Sequence, residues 1–382
     1  MSTRAVVLVV DALGWELVCS APGFAPVLAT RRRLETVLGF STGALPTLFT
    51  GRMPGEHGRF LMYRRAAGAG CFHGFGALRF LPPRARDSWR VGRMLHRAVE
   101  RRGVRGYFQL YEVPRPLLER FDLAERDDIF APGGLPVDSL WDSIARRGLS
   151  WAHWDWRTRE GDAMTALEHR LAAGEERLLV LYTADLDALL HREGTRGLGV
   201  RERLTRYSLW LERLTALAAE RGDTLRLYVL SDHGMVDVAR HADLMARLAP
   251  LSAKMPRDYL AFFDSTMARF WWHDTRARDA VRGALAGQPG RWLEPAELGR
   301  LGCRFDDHAY GDDVFLLDPG VLLVPSFMGS APVAAMHGYD PSHPDMAAML
   351  LSNRPAPAGV TRLADVRGWL ESELDALVRE VA

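Results

Sequence analysis

The sequence predicts an α/β protein: a three-layer αβα arrangement around a mostly parallel central sheet, with inserted cap segments. Three observations predict it. Short apolar runs recur, VVLVV at 6–10, LLVLY at 178–182 and LYVL at 227–230, the pattern of strands buried on both faces. Between 138 and 231, strands and helices alternate with crossovers long enough for parallel pairing. Each run then stops at an acidic residue, at or just beyond the carboxyl end of the strand, where open parallel sheets place their ligands.

The first strand is expected over 5–11, ending at Asp11, with a short helix from about Trp15. The stretch 34–51, LETVLGFSTGALPTLFTG, breaks at Ser41-Thr42-Gly43. A hydroxyl presented there at a helix start would sit beside unpaired N–H groups that favour anions. GRMPGEHG at 51–58 reads as a turn-rich loop. Residues 60–135 cluster Phe, Tyr, Arg and Pro without a period; they are expected to form an insertion over the mouth of the sheet, since long irregular segments in compact domains commonly serve as lids or binding loops.

Regular patterning resumes at 138–156, a helix capped by Asp138 or Ser139 and closed by Gly148, then a strand. A helix follows at 161–174 and a strand at 177–183. The helix 200–221 places Leu204, Tyr207, Leu211, Leu214 and Leu217 on one face, and a strand covers 225–231. Residues 243–325 form a second expected insertion, with aromatic strands (YLAFF, ARFWWHD), a helix near 276–286 and a turn-rich end, YGDDVFLLDPG. MAAMLLSN is expected as an edge strand, and an amphipathic helix covers 364–380. The domain organisation is thus one catalytic domain over 1–382, with cap insertions at 60–135 and 243–325.

Composition narrows the function classes. The formal net charge of +1 implies neither a nucleic acid nor an acidic membrane as partner. Cys19, Cys71 and Cys303 are too few and scattered for a disulfide framework and are expected as buried thiols. The chain enters its first strand at Ala5 without the ordered features of a signal peptide, and no apolar run is long enough to span a bilayer, so the expected location is the cytoplasm. The Arg runs 31–33 and 100–102 are expected as solvated faces.

The chemistry resides at the strand ends. Asp11, Asp187, His191, Asp232, His233 and His337 offer three carboxylates and three imidazoles, about the complement two divalent ions need. Asp187 and His191 are spaced by four, which puts both on one face of a helix. Asp232 and His233 are consecutive, which suits a loop. His337 precedes Gly338, where backbone can approach closely. Mixed carboxylate and imidazole ligation favours zinc, with manganese or iron as alternatives. Two such ions about 3.5–4 Å apart form the usual clamp for in-line displacement at phosphorus.

The pieces VVLVVDALGW, TGRMPGEHG, YTADLDALLH, VLSDHGM and MHGYDP resemble, in order and across nearly the whole chain, the alkaline phosphatase superfamily, closest to its type I phosphodiesterase and nucleotide pyrophosphatase branch. The resemblance implies an alkaline phosphatase-like fold. It implies one metal on Asp11, Asp232, His233 and the nucleophile, and another on Asp187, His191 and His337. Counting back nine residues from Thr50, as in the family, gives Ser41 as nucleophile and metal ligand, with Thr42 as the alternative. The family spacing to His191 selects Asp187 over Asp185. The sequence departs from the family where Asn-His follows the nucleophile: Ala44-Leu45 stands there, so the donor to a phosphate oxygen is expected from Arg52, from an arginine of the first insertion or from backbone N–H groups.

The resulting expectation is a metal-dependent phosphodiesterase or nucleotide pyrophosphatase acting on a small-molecule phosphate ester or diester through a phosphoryl-Ser41 intermediate. A phosphomonoesterase or phosphotransferase on the same site is the near alternative. STGAL lacks the Pro and Arg of a sulfatase nucleophile motif, and the intact ligand set argues against a non-catalytic binder of phosphorylated ligands. His57 is expected to be structural, and His241 and His343 to lie at the surface or behind the ligands. ARFWWHD is read as a buried strand, with nucleobase stacking as its sharper alternative.

Overall fold

A computed structural model describes residues 2–380. Its central sheet has six strands in the order Thr30–Leu34, Ala348–Ser352, Thr224–Leu230, Thr3–Val10, Leu178–Thr183, Trp151–Trp154. The four strands from Thr224–Leu230 to Trp151–Trp154 pair in parallel, and Ala348–Ser352 runs antiparallel to both its neighbours.

The period-two geometry of a strand divides each apolar run between two cores. Val6, Leu8 and Val10 face one cluster with Leu179, Leu181, Leu227 and Val229; Ala5, Val7 and Val9 face the other with Val180, Tyr182, Tyr228 and Leu230. Helices Glu160–Ala173 and Leu198–Glu220 cover the first face through Ala163, Leu167, Leu171, Leu204, Leu211 and Leu214. Helices Ser41–Thr50, Leu140–Arg146 and Val366–Arg379 cover the second. Each fully buried aliphatic side chain contributes about 1.5–3 kcal/mol, so a sheet buried on both sides is the rigid part on which a site can be built.

Three expectations need correction. MAAMLLSN is not an edge strand: it lies inside the sheet, between Thr30–Leu34 and Thr224–Leu230. The edge on that side is formed by Thr30–Leu34, whose exposed Arg31, Arg32 and Arg33 are a solvated run and a strand at once; charged side chains there discourage pairing with another chain. Within the turn-rich YGDDVFLLDPG, Asp313–Leu317 is a strand. Cys71 and Cys303 are buried as expected, but Cys19 is exposed.

The two insertions merge into one body. The second forms a four-stranded antiparallel sheet, Tyr259–Phe263, Met267–Trp272, Asp313–Leu317, Gly290–Leu293. The first pairs Tyr63–Arg65 with Phe121–Leu123. One hydrophobic cluster contains both, with Tyr63 stacked on Phe262 at 4.9 Å between ring centroids. Fully buried Arg269 ties them further: its Nε donates to Asp264 Oδ2 at 2.8 Å and its Nη1 to the Tyr63 carbonyl at 2.7 Å. Arg269, Phe270 and Trp271 are all buried there, so ARFWWHD is the strand of the plainer reading.

Candidate active site

The three strands that end in predicted ligands are neighbours in the sheet, and their register brings those ends level. Val10 pairs with Thr183, and Val9 with Leu230. Asp11 therefore emerges between the Asp187 helix on one side and Asp232-His233 on the other. The turn after Asp11 is tight: Ala12 adopts φ 60°, a left-handed conformation costly for a residue with a Cβ, and its N–H donates to Asp232 Oδ1 at 3.3 Å. Gly234 permits the close crossing below the site, because a Cβ there would come within 2.0 Å of the Asp345 carbonyl. Gly338, at φ 89°, takes the Phe40 ring against its backbone in the same way.

Ser41 is the first residue of helix Ser41–Thr50. Its Oγ lies 3.0 Å from His233 Nε2 and 3.4 Å from Asp11 Oδ1. The Thr42 hydroxyl turns elsewhere, donating to the Phe60 carbonyl at 3.5 Å. His233 Nε2 is also 3.3 Å from Asp11 Oδ1 and 3.3 Å from Asp232 Oδ2, and its Nδ1 faces the Gly234 carbonyl at 3.0 Å. That contact assigns the Nδ1 proton and leaves Nε2 as the ligating atom.

Asp187 and His191 sit one turn apart on helix Asp185–Glu193, with Asp187 Oδ2 3.3 Å from His191 Nε2 and Oδ1 3.5 Å from His337 Nε2. His191 Nδ1 donates to the Ala335 carbonyl at 2.8 Å, which orients the ring. His337 stacks on His233 at 3.9 Å and 13° between planes, so the two halves of the site touch. Asp185, by contrast, points outward to Arg203 at 3.5 Å.

The electrostatics describe crowded ionisable groups in a dry place. Burial, then the carboxylates of Asp232 and Asp187, pushes the Asp11 carboxyl well above its ordinary range, against the hydrogen bond from Tyr182. Burial also opposes ionisation of Asp187, yet His191, His337 and His233 outweigh it and hold that carboxyl low. Burial and the charge of His233 keep His337 well below the usual imidazole value. Among the described residues, Asp187 Oδ1, Asp232 Oδ2 and His337 Nδ1 are buried without a hydrogen-bond partner. Leaving such groups unpaired costs about 1–3 kcal/mol each, more when charged. Two donor groups converge within 4.8 Å, Asp187–His191–His337 and Asp11–Asp187–His233. Hard-to-borderline donors with orphaned lone pairs are what a divalent cation satisfies, and the residues fit one.

Above this floor lies a cavity of about 220 Å³. Its walls include Leu45, Met62, Tyr107, Tyr111, Glu125, Phe130, Trp156 and Met328. Tyr107, Tyr111 and Met62 come from the first insertion and Met328 from just beyond the second; sequence reasoning did not single them out, since the segments carry no period or motif. Tyr111 at φ 45° is one local irregularity only the backbone reveals. Tyr182, another residue not foreseen, donates its hydroxyl to Asp11 Oδ2 at 2.5 Å. Arg52 is exposed and pairs with Glu56 at 3.4 Å, away from the cavity, and among the described residues no arginine or lysine lines it. His57 is structural: buried, it meets Thr47 Oγ1 at 3.0 Å and accepts from the Arg59 N–H, and burial lowers its pKa to about 3. His241 is exposed and His343 half-buried, and neither faces the cavity.

The family model for type I phosphodiesterase / nucleotide pyrophosphatase matches residues 5–286. No curated protein matches the chain. Among solved structures, the chain is similar to human ectonucleotide pyrophosphatase / phosphodiesterase 5, with 15% identity and a TM-score of 0.67 over 98% of this chain and 95% of that one. The murine counterpart gives 15% identity and a TM-score of 0.66, with the same coverage. An inactive form of the murine protein, in complex with AMP, gives 17% identity and a TM-score of 0.64 over 99% of this chain and 95% of that one. Likeness at this identity carries the fold, which is alkaline phosphatase-like as the sequence implied.

Proposed function

Because the chain belongs to the type I phosphodiesterase / nucleotide pyrophosphatase family, we propose that it hydrolyses small-molecule phosphodiesters or pyrophosphates, nucleotides among them, with Ser41 as nucleophile. The observation that carries the reading is the position of the Ser41 hydroxyl, at a helix start, 3.0 Å from His233 Nε2 and 3.4 Å from Asp11 Oδ1, and on the wall of the cavity. The AMP complex of the murine relative supports a nucleotide as one substrate class.

Asp187, His191 and His337 would hold one divalent ion, and Asp11, Asp232, His233 and Ser41 a second, with zinc preferred by the donor set and manganese or iron as alternatives. Bound there, the ions would neutralise phosphate oxygens and lower the pKa of the Ser41 hydroxyl. The chain's own residues do the rest. Ser41 gives up its hydroxyl proton to solvent, its Oγ attacks phosphorus in line, the O–P bond forms as the bond to the leaving oxygen breaks, and the departing oxyanion is protonated from solvent. Water then attacks the phosphoryl-Ser41 and returns the free hydroxyl. The helix N-terminus at Ser41 presents N–H groups toward the developing charge. Tyr107 and Tyr111, kept protonated chiefly by burial, supply hydroxyl donors where Ala44 replaces the family's Asn.

A diester is favoured over a monoester on physical grounds. A monoester dianion carries one more charge, and the cavity offers acids such as Glu125 and Asp264 but, among the described residues, no arginine or lysine. The test is turnover of a bis-aryl phosphate diester against the matching aryl monoester with zinc-loaded protein. A ratio well above one is expected; a ratio well below one would transfer the protein to the monoesterases, and no turnover of either would remove the hydrolase reading.

A further inference from the structure

The near-neutral net charge hides a strong local segregation. Residues 79–102 hold eight arginines against Asp87 and Glu100, a net charge of +6, whereas the whole chain carries +1. Elsewhere a number of surface arginines are paired, as Arg146 is with Asp138 or Arg213 with Glu168. Here they are not: among the described residues Arg79, Arg84, Arg90, Arg93 and Arg97 have no carboxylate within 4.0 Å, and all are exposed.

The same stretch exposes the apolar groups that a soluble surface normally hides. Phe80 is 76% exposed, Trp89 65%, Met94 57% and Leu81 41%. Helix Trp89–Arg101 explains the arrangement. Leu95 and Val99 point into the cap core, and Val91 and Ala98 pack against it. The opposite face is left with Trp89, Arg90, Arg93, Met94 and Arg97. Guanidinium groups flank the aromatic rings, Arg93 and Arg90 at 5.4 and 5.7 Å from Trp89 and Arg79 at 4.7 Å from Phe80. A helix with cations and a tryptophan on one exposed face, next to exposed Phe80 and Leu81 and not long and apolar enough to cross a bilayer, is built to lie at an interface.

We propose that the Phe80–Arg97 surface docks on an anionic phospholipid bilayer, its arginines on the headgroup phosphates and its Phe80, Leu81, Trp89 and Met94 side chains in the outer acyl region. Charge complementarity selects the anionic surface, since polybasic segments are drawn to acidic lipid. The exposed aliphatic groups select a bilayer over a nucleic acid, which would use the cations and the rings but gains nothing from Leu81 and Met94. Overall charge argues against a membrane partner only when charge is spread evenly, and here it is concentrated in one cap segment.

The test is co-sedimentation of the full chain with vesicles, phosphatidylcholine alone or with one third phosphatidylglycerol, at low and high salt. Binding to the anionic vesicles only, lost at high salt, is expected. Arg90→Glu/Arg93→Glu/Arg97→Glu should weaken the partition roughly 100-fold or more. Phe80→Ser/Trp89→Ser should weaken it about tenfold; both side chains are exposed, so folding is spared and circular dichroism should be unchanged. Turnover of a soluble diester should be the same in all variants. Failure of the wild type to bind anionic vesicles at low salt overturns the proposal. So does undiminished binding of the aromatic double variant, or tighter binding to single-stranded RNA than to vesicles. Vesicle binding needs no catalysis, so the docking claim and the proposed activity stand or fall separately.

Discussion

Replacing Ser41 by alanine should separate chemistry from architecture more cleanly than any other change. The side chain is half-buried at the first position of its helix, where alanine fits the backbone. What is lost structurally is the 3.0 Å contact to His233 Nε2 and the weaker one to Asp11 Oδ1. One such hydrogen bond nets about 1 kcal/mol, and alanine's better helix propensity returns about half of that, so the melting temperature should barely move. Asp11, Asp232 and His233 remain, so metal content should persist. Catalytically, the covalent route disappears, and turnover should fall by about 10⁴-fold or more, equivalent to about 5.5 kcal/mol of barrier. The assay is the initial rate on a bis-aryl phosphate, with metal content measured on the same sample and the trapped phosphoryl-enzyme sought by intact mass. Thr42→Ala serves as the control; Thr42 also lines the cavity, but its hydroxyl faces the Phe60 carbonyl, so its rate should fall by no more than about tenfold. A metal-loaded, folded Ser41→Ala protein retaining a tenth of wild-type turnover, or a Thr42→Ala loss as deep, would refute the assignment.

The remaining predictions concern the groups around that serine. Tyr182→Phe removes a donor to Asp11 Oδ2 and should weaken metal affinity roughly 10–100-fold, read by chelator competition; unchanged affinity would mean that the phenol merely packs. Asp187 and Asp232 belong to the two different proposed ion sets, so Asp187→Asn and Asp232→Asn should each bind less metal per chain than wild type, and wild-type stoichiometry in either variant would count against that ion's set. Burial raises the Glu125 carboxyl from 4.5 to about 7. A folded value above the unfolded one means stability fully present below about pH 4.5 and lost as pH rises through 7. Glu125→Gln, which keeps the acceptor for the Tyr107 N–H at 2.8 Å, should therefore gain up to about 3 kcal/mol over wild type at pH 8 and nothing at pH 4; urea melts at the two values decide, and a gain independent of pH would count against the linkage.

Much of this site was legible from local pattern. Parallel strands buried on both faces need continuous apolar runs, and VVLVV, LLVLY and LYVL mark them without knowledge of any partner. Asp11, Asp187, Asp232 and His233 could then be read at or just beyond strand ends, and the four-residue spacing of Asp187 and His191 survived because helix geometry is local. The nearest competing choices, Thr42 for Ser41 and Asp185 for Asp187, differ by one or two residues, and side-chain direction separates each pair: Thr42 turns to Phe60, Asp185 to Arg203.

The sequence by itself therefore determined the main strands and helices of the core, the fold class and the six candidate ligand groups, because period, residue type and spacing act over a few residues. Only the tertiary structure decided what depends on pairing across long separations. It made the strands ending in Asp11, Asp187 and Asp232 neighbours and moved Ala348–Ser352 off the edge. It joined two distant insertions through Arg269 and Tyr63 and raised Tyr107, Tyr111 and Trp156 as walls of the cavity. The physical reason is that a cap segment has no repeating face to betray its orientation. Which of its aromatics enter a core, line a cavity or meet solvent is settled by the surface it packs against.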